Sequence, residues 1–204
     1  EAEPPELSHE EPLDGLILTV LSQNTNDKNR DSAFANLKSL YPSWHEVVKA
    51  GREKLRNAVR SAGLANSKSA RIIEILKIIH EDFGEYSLKK LAVRDRDYIR
   101  EYLRALPGVG AKTVACVMLF DMKITAFPVD THITRISKKI GIASEKNSPE
   151  EISEFFESVV PASRCLGGHV NMIEHGREIC RARNPKCKDC VLSSQCEFLN
   201  SMSV

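Results

Sequence analysis

The chain is expected to be all-α, and three observations carry that expectation. Apolar residues recur at helical spacing through most of its 204 residues, no segment shows the strict alternation of a half-buried strand, and capping residues and glycines punctuate the periodic segments. Amphipathic stripes are predicted over Pro12–Ser22, Asp27–Leu40, Ser67–Phe83, Asp95–Leu106, Lys112–Phe120 and Thr131–Ile140, with further helices near Pro149–Val159 and Arg164–Arg181. Asp27, Asn66, Asp130 and Ser148 are read as N-caps, Pro149 follows Ser148 at a first helical position, and Gly63, Gly84 and Gly141 fall where helices should stop. The connections are short, and neither low-complexity tracts nor a fixed repeat interrupts them.

Composition narrows the function classes. A chain of this length with ordinary globular composition buries one or two cores. Its longest apolar runs, Leu16–Leu21 and Val114–Phe120, are far shorter than the roughly 20 residues that span a bilayer, so no membrane partner is expected. The opening Glu1-Ala2-Glu3-Pro4-Pro5 has neither the basic nor the apolar region of a secretory signal, so an intracellular location is expected. A formal net charge of +1 gives no global signature of a nucleic-acid partner. Local basic patches stand out at Arg135/Lys138/Lys139 and Arg181/Arg183/Lys186/Lys188, against acidic stretches at residues 1–12 and 145–157. Such patches suit DNA on one face, although a run of lysines is more often a solvated surface.

The most informative segment is Leu106-Pro107-Gly108-Val109-Gly110-Ala111-Lys112-Thr113, a glycine turn between two helices. Gly108 and Gly110 permit positive φ and close backbone approach, which frees amides of the turn and of the next helix to hold a phosphate. An ordinary helix-helix connection explains the glycines equally well; Lys112 tips the balance. At the start of the following helix the positive dipole end disfavours the ammonium form, and a lysine drawn toward neutrality is an amine nucleophile. Eighteen residues on, Val129-Asp130-Thr131-His132 places Asp130 as the N-cap of the next helix. One helix and a return loop can bring that carboxylate beside the amine, as nucleophile and charge stabiliser; capping alone would also account for Asp130.

Cys180, Cys187, Cys190 and Cys196 form C-x6-C-x2-C-x5-C, a density that points to a metal site in a reducing compartment. Spacing alone leaves zinc and a four-iron cluster open. Cys116 and Cys165 read as packed or surface thiols, and His132, His169 and His175 lack ligand spacing and read as structural.

Leu106–Lys112 together with Val129–His132 resembles the signature of the helix-hairpin-helix DNA glycosylase superfamily, in its cluster-bearing branch. The likeness runs from Asp14 to Phe198 and takes in Val20-Leu21-Ser22, Gly63-Leu64-Ala65-Asn66-Ser67-Lys68 and His175-Gly176-Arg177. It implies two helical domains: a six-helix domain with the hairpin, residues 12–127, and a discontinuous [4Fe-4S] cluster domain of residues 1–11 and 128–204. It further implies a bifunctional DNA glycosylase and abasic-site lyase of base excision repair, most plausibly acting on oxidised pyrimidines. Lys112 and Asp130 would be catalytic and the four cysteines would hold a [4Fe-4S] cluster.

The implied partner is double-stranded DNA with a damaged base or abasic site, bound by a monomer in the cytoplasm or nucleoid, or in the nucleus or mitochondrion of a eukaryote. Gly108 and Gly110 would contact DNA, as would Arg183 and Lys186 in the loop between Cys180 and Cys187. The base must leave the stack to be reached, and the resemblance makes Leu64 one filler of the gap and Gln23 or Asn24 the other. Alignment on Ser22 and Asp27 puts Asn24 where the family usually has glutamine, so the choice between those two stays open. Relatives that only excise bases lack the lysine, and the relative that removes adenine opposite oxidised guanine has an extra C-terminal domain, whereas this chain stops eight residues after Cys196. Two other readings remain: a glycosylase for mismatched thymine, uracil or modified cytosine, and a non-catalytic cluster-bearing DNA-binding module.

Overall fold

The structure, a computed structural model, describes residues 10–202. Among them every regular element is helical, in this order: α1 Pro12–Ser22, α2 Asp27–Leu40, α3 Trp44–Ala50, α4 Arg52–Ala58, α5 Ala65–Phe83, α6 Lys89–Ala92, α7 Arg96–Ala105, α8 Ala111–Cys116, α9 Thr131–Ile140, α10 Pro149–Val159, α11 Cys165–Glu178 and α12 Glu197–Met202. A π-helical stretch, Val117–Asp121, continues α8, and single 3-10 turns punctuate the connections. No helix among the described residues is long and apolar enough to cross a membrane.

The chain packs as two units divided between Ile124 and Thr125. That division falls a few residues before the expected 127/128 boundary, because the extended segment 125–129 is held by helices of the second unit. Of residues 1–11, expected in the cluster-bearing domain, 1–9 lie outside the described residues, and Glu10 and Glu11 fall in the first unit, where Glu11 caps α1.

The first unit carries α1–α8. Its centre is α1, whose Leu13, Leu16, Ile17, Val20 and Leu21 are all fully buried. Spacings of three and four residues put this stripe on one face, and Glu11 caps the helix by accepting from the Leu13 amide at 3.2 Å. Asp14, on the polar side, accepts from Trp44 Nε1 at 2.8 Å and pairs with Lys38 at 3.0 Å, which ties α1 to α2 and α3. Of the eight helices here, α3, α4, α6 and α8 are seven residues or fewer; α8 runs on into its π-helical stretch, whereas the other three are too short to show a period in sequence. A Ser43/Glu46 capping box starts α3.

Two helix starts differ from expectation. Asn26, not Asp27, caps α2, accepting from the Asn29 amide at 2.8 Å. In place of an Asn66 cap, α5 starts behind Leu64, which is left-handed at φ 47° and supplies no side-chain cap. Along α5 the buried face runs Lys68, Ile72, Ile75, Leu76 and Ile79, so a lysine occupies a core position. Its Nζ donates to Leu21 O and Ala62 O, each at 2.7 Å.

The second unit carries α9–α12. Asp130 caps α9 through the Ile133 amide at 2.9 Å, Gly141 ends it in the left-handed region, and Ser148 with Glu151 forms a capping box ahead of Pro149. The core centres on Phe127, stacked on Phe156 at 4.5 Å and edge-on to His169.

Burial lowers the pKa of Lys68, because desolvation disfavours its ammonium. The unfolded chain therefore holds a proton that the folded chain gives up over the interval between the lowered value and the ordinary one near 10.4, so stability rises with pH across it. Urea melts of wild type and Lys68→Met should show the difference in stability moving in favour of wild type as pH rises from 7 toward about 10. A pH-independent difference would mean that Lys68 titrates normally.

Candidate functional site

In the first unit the hairpin joins α7 to α8. Leu106 and Val109 are buried, and the Val109 amide donates to Leu106 O at 3.1 Å, closing the turn. Only one of its glycines needs to be glycine for its φ: Gly108 sits at φ 72°, whereas Gly110, the N-cap of α8, is extended at φ −91°. Gly108 is also crowded, since a Cβ there would stand 2.6 Å from Arg71 Cδ. Lys112 is the second residue of α8 and is solvent-exposed, so its amine stands immediately behind the glycine turn.

The α1–α2 connection is braced against this hairpin. Gln23 Nε2 donates to Gly108 O at 3.0 Å, and Arg71 Nη1 donates to Gln23 Oε1 at 3.1 Å, so both ends of that amide are engaged. Its neighbour Asn24 is exposed, left-handed at φ 53°, and makes no side-chain hydrogen bond among the described residues. Leu64 is likewise an exposed tip, 59% accessible and left-handed. Sequence reasoning treated Gln23 and Asn24 alike; their side chains do different things.

In the second unit Asp130 ends a buried extended rail, Ala126 to Val129. Helices α10 and α11 satisfy the polar groups of that rail. Ser153 Oγ donates to Phe127 O at 2.7 Å, the Phe127 amide donates to Glu157 at 3.1 Å, and His169 Nδ1 stands 2.8 Å from Pro128 O. A carbonyl can only accept, so His169 carries its proton on Nδ1. These three residues aim the half-buried Asp130; its Oδ1 caps α9, and its backbone carbonyl accepts from Thr134 Oγ1 at 2.7 Å. Sequence reasoning found Asp130 but not Ser153 or Glu157, and it read His169 as structural without seeing what it holds.

The four cysteines line one pocket, whose other walls include Ile136, Ile140, Ile179, Phe198 and His175. Burial pushes the Cys180 thiol up, while Lys139 and Arg135 pull it down. Cys190 Sγ lies 3.5 Å from His175 Nε2, and Cys196 Sγ is 3.4 Å from Lys139 O. Arg135, on α9, donates to Cys180 O at 3.0 Å and to Gly176 O at 2.9 Å, clamping the end of α11 where the cysteine loop begins. Arg183 and Lys186 are exposed on that loop, which Asn184 bends through φ 49°. Cys116 and Cys165 are buried, and neither lines this pocket.

A hairpin followed by an exposed lysine, a helix-capping aspartate and a four-cysteine loop define the class. Residues 17–162 match the HhH-GPD superfamily of base excision DNA repair proteins, and the chain belongs to that superfamily. It is therefore a base excision repair DNA glycosylase. Endonuclease III of Thermotoga maritima is 38% identical over 190 residues, covering 92% of this chain and 84% of the relative. Endonuclease III of Escherichia coli K12 is 32% identical over 98% of this chain and 90% of its own. Among solved structures, a trapped endonuclease III–DNA covalent intermediate aligns with a TM-score of 0.83 at 29% identity, covering 98% of this chain and 90% of that one.

Truncating Ser153 to Ala leaves the buried Phe127 carbonyl without its donor. Urea denaturation should show a loss of about 1–3 kcal/mol, and a loss below about 0.5 kcal/mol would mean that water or another group takes over the bond.

Proposed function

We propose that this protein is a bifunctional DNA glycosylase and abasic-site lyase that removes oxidised pyrimidines from duplex DNA through a Schiff base on Lys112. One observation carries this reading: the exposed amine of Lys112 directly follows the hairpin, in a chain whose structural relative was trapped as a covalent intermediate with DNA. The turn amides and the start of α8 hold a backbone phosphate, and Gly108 allows the close approach. Asn24 and Leu64, both exposed left-handed tips, fill the gap left by the extruded nucleotide. Gln23, with its amide committed to Gly108 and Arg71, holds the hairpin.

In the chemical step the Asp130 carboxylate stabilises the positive charge that develops on the sugar as the N-glycosidic bond lengthens. The Lys112 amine attacks C1′ and gives up a proton, the base departs with the bonding electron pair and takes up a proton, and the sugar ring then opens as the C1′–O4′ bond breaks with its electrons onto O4′, which is protonated; the iminium so formed acidifies the 2′ hydrogen. Loss of that proton drives β-elimination, and the 3′ phosphate leaves with the electrons of its C–O bond. A monomer suffices, since both residues come from one chain.

The four thiols and the apolar walls of their cavity fit a [4Fe-4S] cluster. When bound, the cluster cross-links the loop at four places, and the loop presents Arg183 and Lys186 to phosphates.

Lys112→Gln should abolish borohydride trapping on abasic-site DNA while binding largely survives; trapping at the wild-type level would refute the assignment. Asp130→Asn should slow single-turnover excision of an oxidised pyrimidine by tenfold or more, about 1.4 kcal/mol of barrier, and an unchanged rate would remove Asp130 from the mechanism. Purified protein should contain iron and acid-labile sulfide in equal amounts; zinc in their place would overturn the cofactor reading.

A further inference from the structure

The buried Lys68 belongs to neither the hairpin nor the chemistry, yet it is one of the largest fully buried side chains among the described residues. Its acceptors say what it does. Leu21 O lies at the C-terminal end of α1, and Ala62 O ends the 3-10 turn Arg60–Ala62. Both are carbonyls that a helix end leaves without an intrahelical partner. A cation at such ends also meets the negative pole of the helix dipole.

Three residues after Leu21 comes Asn24, and two residues after Ala62 comes Leu64. Of the four non-glycine residues with positive φ among those described, these are the two that follow the acceptors of Lys68. The Lys68 amide also donates to Leu64 O at 3.0 Å, so one residue grips the Leu64 turn by both main chain and side chain. Left-handed backbone at non-glycine residues persists only where the surroundings fix it, and Lys68 supplies that fixing to both loops from beneath. An apolar residue at this position on α5 would fill the space and continue the Ile72, Ile75 and Ile79 stripe, but would leave two buried carbonyls without donors.

We infer that Lys68 is a positioning residue, setting the separation and backbone conformation of the two loops whose tips fill the gap in DNA. The inference rests on the functional reading above. It acts through Asn24 and Leu64 and touches no nucleotide.

The test uses a duplex bearing an oxidised pyrimidine with 2-aminopurine as its neighbour, whose fluorescence rises on unstacking. Lys68→Met should lose most of that rise and slow single-turnover excision at least tenfold, with affinity for undamaged duplex within twofold of wild type. In an Asn24→Ala/Leu64→Ala background the same substitution should slow excision less than twofold further, because the side chains it positions are already gone. Equal rates and fluorescence for Lys68→Met and wild type overturn the role, and so does an undiminished tenfold loss in the truncated background. If Lys68→Met does not fold, Lys68→Gln, with one short donor, should show a partial loss of the fluorescence rise; a folded glutamine variant matching wild type overturns the role. Failure of both to fold also overturns it, because Lys68 would then hold the whole unit. A wild-type protein that neither excises nor is trapped by borohydride defeats the parent reading, whereas an active wild type matched by Lys68→Met defeats the positioning role alone.

Discussion

The candidate site residues of this chain stand at or between helix ends, and where such a break is buried it leaves backbone groups that water cannot reach and that some side chain must satisfy. That constraint governs the rest of the structure. A helix interior satisfies its own amides and carbonyls; a buried break does not. Lys68 answers it at Leu21 and Ala62, Ser153 and His169 at Phe127 and Pro128, and the part-buried Arg135 at Gly176 and Cys180. An unpaired buried polar group costs about 1–3 kcal/mol, a large part of a typical folding free energy of about 5–15 kcal/mol. The partners are therefore as necessary to the fold as its apolar stripes.

The same bonds make the breaks stiff, and stiffness is what the proposed reaction on an extruded nucleotide needs. Proximity contributes to rate only when the reacting groups are held close to their productive geometry. Asp130 illustrates the point in the second unit. Its carboxylate is fixed on one side by the Ile133 amide that it caps and on the other by a rail whose carbonyls α10 and α11 hold. A flexible loop could present the same carboxylate, but it would lose that ordering to entropy on each turnover.

What was legible in sequence divides along the same line. The all-helical class and the long elements α1, α2, α5, α9 and α10 were visible because burial of one face writes a 3.6-residue period. Gly108, Lys112, Asp130 and the four cysteines were visible because their residue types are unusual at those spacings. The short α3, α4 and α6 were not, since one or two turns carry no period. The braces were hidden for a different reason: a bond from Ser153 to Phe127 or from Arg71 to Gln23 spans tens of residues and leaves no local pattern. Lys68 is the exception that carried a signal. A lysine in the apolar stripe of α5, in register with Ile72 and Ile79, is either an error of burial or a group with an internal partner, and the partner turned out to be two helix ends.

The two cations at these breaks, Lys68 buried and Arg135 part-buried, differ for a physical reason. Lys68 serves two carbonyls that arrive from different elements, a task for a compact ammonium on a flexible stem. Arg135 serves Gly176 O and Cys180 O, on the same element end, through separate nitrogens of a planar fork, which suits two acceptors in a fixed relation. The fork sits on α9, the helix that Asp130 begins, and grips the residue where the cysteine loop starts. Within the second unit the acid and the thiols are thus parts of one bonded path, from the Asp130 cap along a single helix to Cys180. A ligand that fixes the cysteine loop therefore also fixes the far end of the helix on which the acid depends, and it needs no part in the chemistry to do so.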